Sequence, residues 1–265
     1  AVKYLAERAG IKLPEAEVTE AEKQARNRRQ KLLDIHKEAA RYFYYQLKSQ
    51  GGANARDYFE QRKLSGETIA HFGLGYSNPY RDDLYQFLRN RGYDDGLLKD
   101  SGLVTIDEKR GAHDKFWNRV MFPIMDVNSK VIGFGGRVLG EGTPKYLNSP
   151  ETMLFDKSRN LYGLNFARTS RQPFMIICEG YMDVIAMHQA GFTNAVASLG
   201  TAFTLQHGIL LKRYTEEVLL AYDSDEAGVK AILRAIPILR SAGLRIRIIH
   251  MNPYKDPDEF IKNLG

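Results

Sequence analysis

Six carboxylates in the last third of the chain fall just after apolar runs, in three groups. Glu179 follows the apolar run Phe174–Cys178, and Asp183 lies one helical turn further on. Asp223 and Asp225 follow Val218–Ala221, while Asp256 and Asp258 follow Ile246–Ile249. Three runs that read as strands thus end in acids, and open α/β sheets gather ligands outside the carboxyl ends of their strands. Carboxylates converging there repel one another, and a divalent cation relieves the repulsion; hard oxygen ligands select Mg²⁺ or Mn²⁺. Each acid alone has a plainer use. Asp225 ahead of Glu226–Arg240, and Asp258 ahead of a short last helix, are both suited to capping. Taken together, Glu-Gly-Tyr-Met-Asp after one strand and Asp-Ser-Asp after another exceed what capping requires. A cation site is expected.

Other residues with chemical potential offer less. Gly133-Phe-Gly-Gly-Arg lies inside an expected strand and lacks the spacing of a dinucleotide fingerprint, so it reads as a tight bend. His36, His71, His113, His188, His207 and His250 show no metal-ligand spacing. Cys178, the single cysteine, forbids an intramolecular disulfide and suits a buried small apolar position, which points to a reducing, cytoplasmic setting. Phe116 and Trp117, beside Lys115 and Arg119, have the make-up of a base-stacking platform, but core packing is the simpler expectation.

The elements that must position the acids alternate. Apolar runs Phe174–Cys178, Ala195–Leu199, Val218–Ala221 and Ile246–Ile249 are separated by helical stretches Met182–Ala190, Thr204–Tyr214 and Glu226–Arg240. That rhythm means crossover units and a mainly parallel sheet covered on both faces. Before residue 170 the pattern differs. Thr19 to about Gln50 reads as one long helix with an apolar stripe of Leu32, Leu33, Ile35, Ala39, Tyr42, Phe43 and Leu47, ended by Gly51-Gly52. Shorter helices follow, one capped by Asn54 and running to Lys63, one capped by Ser65, and one near Arg81–Arg91. Strands are expected over Leu103–Ile106, Arg119–Val127 and Lys130–Leu139, the last two joined by Asn128-Ser129. The chain is therefore α/β: a linker tail (1–18), a mixed α/β subdomain (19–170) and a compact βαβ subdomain with a mainly parallel sheet (171–265).

With 43% hydrophobic and 26% charged residues, a chain of 265 residues is neither disordered nor fibrous. No apolar run approaches the ~18–20 residues that cross a bilayer, and Ala1–Gly10 has no signal-peptide core, so no membrane role is expected. The net charge of +6 favours an anionic partner. Its placement is more telling: residues 115–171 hold nine cations against four anions, whereas residues 172–265 hold nine against ten. An anion track beside a cation-binding pocket is the pattern these numbers suggest.

The acid signature, a strand-end Glu followed later by Asp-x-Asp, resembles the TOPRIM domain of bacterial primases, topoisomerases and some nucleases. The surrounding text is more specific. Arg119-Val-Met-Phe-Pro-Ile124, Ile132-Gly-Phe-Gly-Gly-Arg-Val138, Pro144-Lys-Tyr-Leu-Asn-Ser-Pro150, Leu161-Tyr-Gly163, Glu179-Gly-Tyr-Met-Asp183 and Ala197-Ser-Leu-Gly-Thr201 are similar to the bacterial replicative DNA primases. The resemblance runs from about residue 25 to the end and covers the family's RNA polymerase core, with Ser224 where some relatives have Gly. It implies that Glu179, Asp223 and Asp225 are catalytic and metal-binding, with Asp183, Asp256 and Asp258 as outer acids of the cluster. Arg62, Arg137, Lys145 and Lys157 match the family's basic positions flanking the active site, and Tyr146, Asn148 and Ser149 share the motif that would hold an incoming nucleotide. Zinc would belong to an N-terminal domain whose cysteines this chain lacks. A chain opening at Ala1 and ending at Gly265 fits an excised piece, with the replicative helicase contacted through a C-terminal domain beyond it.

The chemistry implied is primer synthesis: attack of a ribonucleotide 3′-hydroxyl on the α-phosphate of a ribonucleoside triphosphate along a single-stranded DNA template, leaving an RNA–DNA hybrid. Two metals would activate the hydroxyl and stabilise the leaving oxygen. Glu179 is either a metal ligand or the general base. Two rivals remain at this stage: a TOPRIM-type metal-dependent nuclease, and a non-catalytic single-stranded DNA-binding module that leaves the acids without purpose.

Overall fold

The computed structural model describes residues 8–9, 19–107, 109 and 111–264. The expected linker tail over 1–18 lies, apart from residues 8 and 9, outside the described residues. The long helix α1 (Glu20–Lys48) starts at Thr19, whose hydroxyl accepts from the Glu22 N–H while the Glu22 carboxylate accepts from the Thr19 N–H. This reciprocal cap fixes the start, and all seven residues of the expected stripe are buried. His36 joins them, its ring stacked on Phe134 at 5.9 Å and bonded to the Leu32 carbonyl.

A 3₁₀ turn (Gln50–Gly52) runs straight into α2 (Ala53–Gln61), so Gly52 takes the cap position and Asn54 lies inside the helix, not ahead of it. Ser65 caps α3 (Gly66–Phe72) as expected. Then come β1 (Gly75–Ser77), α4 (Asp83–Arg89), α5 (Asp95–Asp100) and the hairpin β2 (Val104–Asp107) with β3 (Gly111–Asp114). β4 (Arg119–Met125) and β5 (Val131–Val138) pair antiparallel around a turn in which the Asp126 carboxylate accepts from the N–H groups of Asn128 and Lys130. With β6 (Tyr146–Asn148) they complete an antiparallel sheet ordered β1-β4-β5-β6, over which α1 packs.

After α6 (Leu164–Ala167) the rhythm turns to crossovers: β7 (Met175–Cys178), α7 (Tyr181–Gln189), β8 (Ala195–Ala197), α8 (Leu205–Lys212), β9 (Glu217–Ala221), α9 (Glu226–Ser241), β10 (Arg245–Ile248) and α10 (Pro257–Leu264). The second sheet is parallel throughout, in the order β10-β9-β7-β8. Its central strands β7 and β9 are the two that carry Glu179 and Asp223 at their ends. Leu161, Leu164 and Ala167 pack into the core beneath this sheet, and Tyr162 bridges to Ala197, so the two halves interlock rather than abut.

Two readings of the glycine-rich stretch and its neighbours change. Gly133–Gly136 forms no bend; it is regular strand in β5. A side chain at Gly135 would place its Cβ 2.4 Å from the Tyr181 ring, so glycine here admits α7 of the other half against the antiparallel sheet. Phe116 is fully buried as expected, whereas Trp117 is 53% exposed and belongs to the surface.

Candidate active site

The acids are set by backbone geometry at the strand ends. Glu179 leaves β7, and one of its carboxylate oxygens accepts from the Asp223 N–H at 3.1 Å, which ties the end of β7 to the end of β9. Burial and the neighbouring Asp223 raise the Glu179 pKa above the usual carboxylate range. Asp183, in the first turn of α7, accepts from the Gly180 N–H at 3.0 Å. It is buried among Asp256, Asp223 and Asp258, and desolvation followed by their charge pushes it up to about 8.

Asp225 caps α9 by accepting from the Gly228 N–H at 3.0 Å, a bond that lowers its pKa. Its other oxygen faces Lys255 Nζ at 3.6 Å, so capping and charge display coexist on one side chain. Asp256 takes the capping role at α10, accepting from the Glu259 N–H at 2.7 Å. Asp258, expected as a cap or an outer metal ligand, does not cap α10, and its second oxygen is buried without a hydrogen-bond partner. It sits within the helix, its side chain is 5% exposed, and one oxygen accepts from Arg62 at 2.5 Å and Lys262 at 2.7 Å.

An open cleft of about 370 Å³ brings five of the six acids together: Glu179, Asp183, Asp223, Asp256 and Asp258 all line it. The opposite wall comes from the other half of the chain and holds Arg62, Lys145, Tyr146 and Asn148. Asn148 is fixed twice, accepting from the Tyr181 hydroxyl at 2.6 Å and donating to the Leu199 carbonyl at 2.8 Å. The Tyr181 ring stacks on Phe122 at 4.9 Å, so the junction of the halves is rigid where it borders the cleft.

The remaining expected residues lie elsewhere. Arg137 lines an adjoining polar cleft with Asn54, Tyr58 and Arg62, its guanidinium 4.5 Å from the centre of the Tyr58 ring. Ser149 is fully buried, and its hydroxyl accepts from the Phe134 N–H, a contact internal to the sheet. Lys157 is in a turn whose carbonyl groups anchor His207 and Thr204 of the α8 start, and it does not line the acid cleft.

Sequence reasoning missed Lys255, Ser198 and Gly200, all on the cleft wall. Lys255 Nζ stands 3.8 Å from Asp223 and 3.6 Å from Asp225, and its own pKa is raised by both. The signal was present in Lys-Asp-Pro-Asp: a cation next to two acids on a strand-end loop.

Among the described residues no three His, Cys, Asp or Glu side chains converge into a preformed metal cage. The fit to a divalent cation is electrostatic. Glu179, Asp183 and Asp223 all hold their protons more tightly than free carboxyls because burial and mutual repulsion penalise their charges. An oxygen-only donor set of five acids, countered in part by Lys255, Lys145 and Arg62, suits a hard cation.

Comparison with known proteins gives a consistent picture. Residues 42–168 match the family model described as DNA primase catalytic core, N-terminal domain, and residues 176–261 match the Toprim-like family. The chain is 46% identical to a DNA primase of Clostridium acetobutylicum over 268 residues, covering all of this chain and 44% of that protein. Thus it spans less than half the length of that relative. It superposes on a DnaG primase catalytic domain bound to single-stranded DNA with a TM-score of 0.82 at 39% identity, covering 90% of this chain and 76% of the other. A DNA primase domain from Pseudomonas aeruginosa gives 0.82 at 40% identity, with coverages of 88% and 75%.

Proposed function

This chain belongs to the family of bacterial DNA primase catalytic cores, and from that premise we propose that it synthesises short RNA primers on single-stranded DNA. The observation that carries the reading is the composition of the cleft: strand-end acids from the parallel sheet face Arg62, Lys145, Tyr146 and Asn148 from the antiparallel half. A carboxylate site alone would serve cleavage as well as synthesis. Cations on the facing wall suit a triphosphate, which brings its own negative charge to an acidic site.

Each residue then has a task. Glu179, with its raised pKa and one oxygen held by the Asp223 N–H, is suited to accept the proton of the attacking 3′-hydroxyl at its other oxygen. The 3′-oxygen forms its bond to the α-phosphorus as the bond to the β-phosphate oxygen breaks, and pyrophosphate leaves toward Arg62, Lys145 and Lys255. Asp258 is a positioning residue that holds Arg62 at the cleft wall. Tyr146 and Asn148 border the nucleotide. Divalent metal use is typical of the Toprim family; Mg²⁺ or Mn²⁺ held by Asp223 and Asp225, with Asp183, Asp256 and Asp258 as outer acids, would supply Lewis-acid stabilisation of the phosphoryl charge, and Glu179 would be a further ligand in the alternative where it is not the base.

Arg137 in the adjoining cleft and exposed Trp117 are suited to a template strand. On family grounds the further ligands are ribonucleoside triphosphates and an RNA–DNA hybrid, the further partner is a replicative helicase, and the place of action is the cytoplasmic replication fork. No described helix is long and apolar enough to cross a membrane.

The test is incubation with single-stranded DNA, ribonucleotides and Mn²⁺. RNA oligomers should form, disappear on chelation, and fall at least a hundredfold in Glu179→Gln, since a positioned base or ligand commonly contributes ~10²–10⁴. Glu151→Gln, an exposed acid away from the cleft, should match wild type. Shortened DNA instead of new RNA would establish a nuclease, and binding with neither activity a binding module.

A further inference from the structure

Glu179 borders a second cavity. On the side away from Asp183 and Asp256, a pocket of about 300 Å³ lies between the loop after β8 and the inward face of α9. Glu179, Ser198 and Gly200 line both this pocket and the acid cleft, so the two open on either side of one carboxylate. Gly200 adopts φ +67°, and a Cβ there would meet the Asn148 amide at 2.7 Å, which explains how so thin a partition is made.

The two cavities differ in what they can hold. The acid cleft has Arg62, Lys145 and Lys255 on its walls. The second pocket has one cation, Arg234, which is exposed and has no acidic partner among the described residues. Most of the rest of its wall is apolar: Phe203 and Tyr222, 7% and 6% exposed, with Ala202, Ala231 and Ala235. A triphosphate would find three cations in the acid cleft, where divalent metal would offset the acids, and only Arg234 here. A nucleoside carrying one phosphodiester matches a small apolar slot with one arginine at its rim, and the volume lies at the lower end of small-molecule sites, about 300–1,000 Å³.

We propose that this pocket seats the 3′-terminal nucleotide of the growing RNA strand, its base against Tyr222 and Phe203, its 5′-phosphodiester toward Arg234, and its 3′-hydroxyl presented to Glu179. The inference rests on the polymerase reading and assigns the two substrates to opposite sides of the same carboxylate: triphosphate with the cations, primer end with the apolar wall. Extension then needs no rearrangement of Glu179, because its side chain already faces both cavities.

The experiment uses a recessed RNA–DNA hybrid with 2-aminopurine as the 3′-terminal base, whose fluorescence reports stacking, and measures ribonucleotide incorporation in parallel. Ala231→Leu fills the pocket from a partly buried position. It should abolish the fluorescence change and raise the KM for the hybrid about tenfold or more, the scale of one lost base–aromatic stack, with the KM for ribonucleotide within about twofold of wild type. Arg234→Ala should lower the salt slope of hybrid binding by about 0.9, one phosphate contact on a duplex. Leu233→Ala, on the solvent face of the same helix, should change neither. A fluorescence response unaffected by Ala231→Leu, or a KM rise confined to the ribonucleotide, overturns the assignment. A wild-type protein that binds the hybrid with the expected fluorescence and Ala231 dependence but incorporates nothing would overturn the polymerase reading and leave the pocket assignment standing.

Discussion

Replacing Asp183 with Asn isolates the electrostatic strain of the acid cleft. In the folded protein this carboxyl is held at about 8 against an ordinary 3.8, mainly by burial and then by Asp256, Asp223 and Asp258. The native state therefore binds a proton that the unfolded chain releases between those two values, so stability falls as pH rises from about 4 to about 8. The full displacement corresponds to on the order of 6 kcal/mol at about 1.4 kcal/mol per pH unit. Water in the open cleft screens the ionised form, and the new amide N–H group must find a partner, so about 2 kcal/mol of relief is expected above pH 8. For a chain of this size that is about 4–8 °C in Tm. The amide oxygen still accepts from the Gly180 N–H, so the α7 start is preserved. Thermal unfolding in metal-free buffer from pH 4 to 9 is the assay. Asp183→Asn should match wild type near pH 4, exceed it progressively toward pH 9, and lose activity throughout. A variant equally or less stable at pH 9, or one offset by the same amount at every pH, would refute the argument that Asp183 carries an unrelieved charge.

Arg137→Ala should reduce the salt slope of single-stranded DNA binding by about 0.7 per phosphate contact, Lys145→Ala should weaken ribonucleotide binding instead, and Lys157→Ala, which lies off the cleft, should change neither. Asp258→Asn strands Arg62 and Lys262 beside a buried amide; partial exposure of both cations places the loss near 2–3 kcal/mol, below the fully buried range, and the added change Arg62→Gln should recover part of it in a double-mutant cycle. Gly135→Ala drives a methyl into the Tyr181 ring and should cost about 1–3 kcal/mol with a matching loss of primer synthesis, read by calorimetry and activity together.

Elements with enough residues to show a period were legible in the sequence. The α1 stripe, the four parallel strands and the acids at their ends needed only apolar patterning and the rule for open sheets. Gly75–Ser77 and Tyr146–Asn148 lack the apolar run between two helical stretches that revealed the equally short β8, and β6 exists because Gly135–Arg137 offers it a partner edge. The same limit governed the site. Glu179 and Asp223 are placed by their own strands and were readable; Asp258 is defined by Arg62, 196 residues away in sequence, and no local pattern announces that pairing. Asn54 had the right residue type for a cap, but the 3₁₀ turn before it had already started the helix. Trp117 lies next to fully buried Phe116 in a tight turn, and backbone direction rather than hydrophobicity decides which of the two rings faces water.

The split of the cleft between two interlocked halves bears on how such sites diversify. The parallel half carries the acids at strand ends and first helical turns, while the facing wall comes from the other half of the chain, joined at Tyr181, Asn148 and the Arg62–Asp258 pair. An acid cassette carried by one half can therefore be combined with a different facing wall without disturbing the strand ends and helix starts that hold it. Only the few positions at the seam must co-vary when this happens. Gly135 is the most restrictive of them, since any foreign sheet laid against this cassette must leave room for the Tyr181 ring.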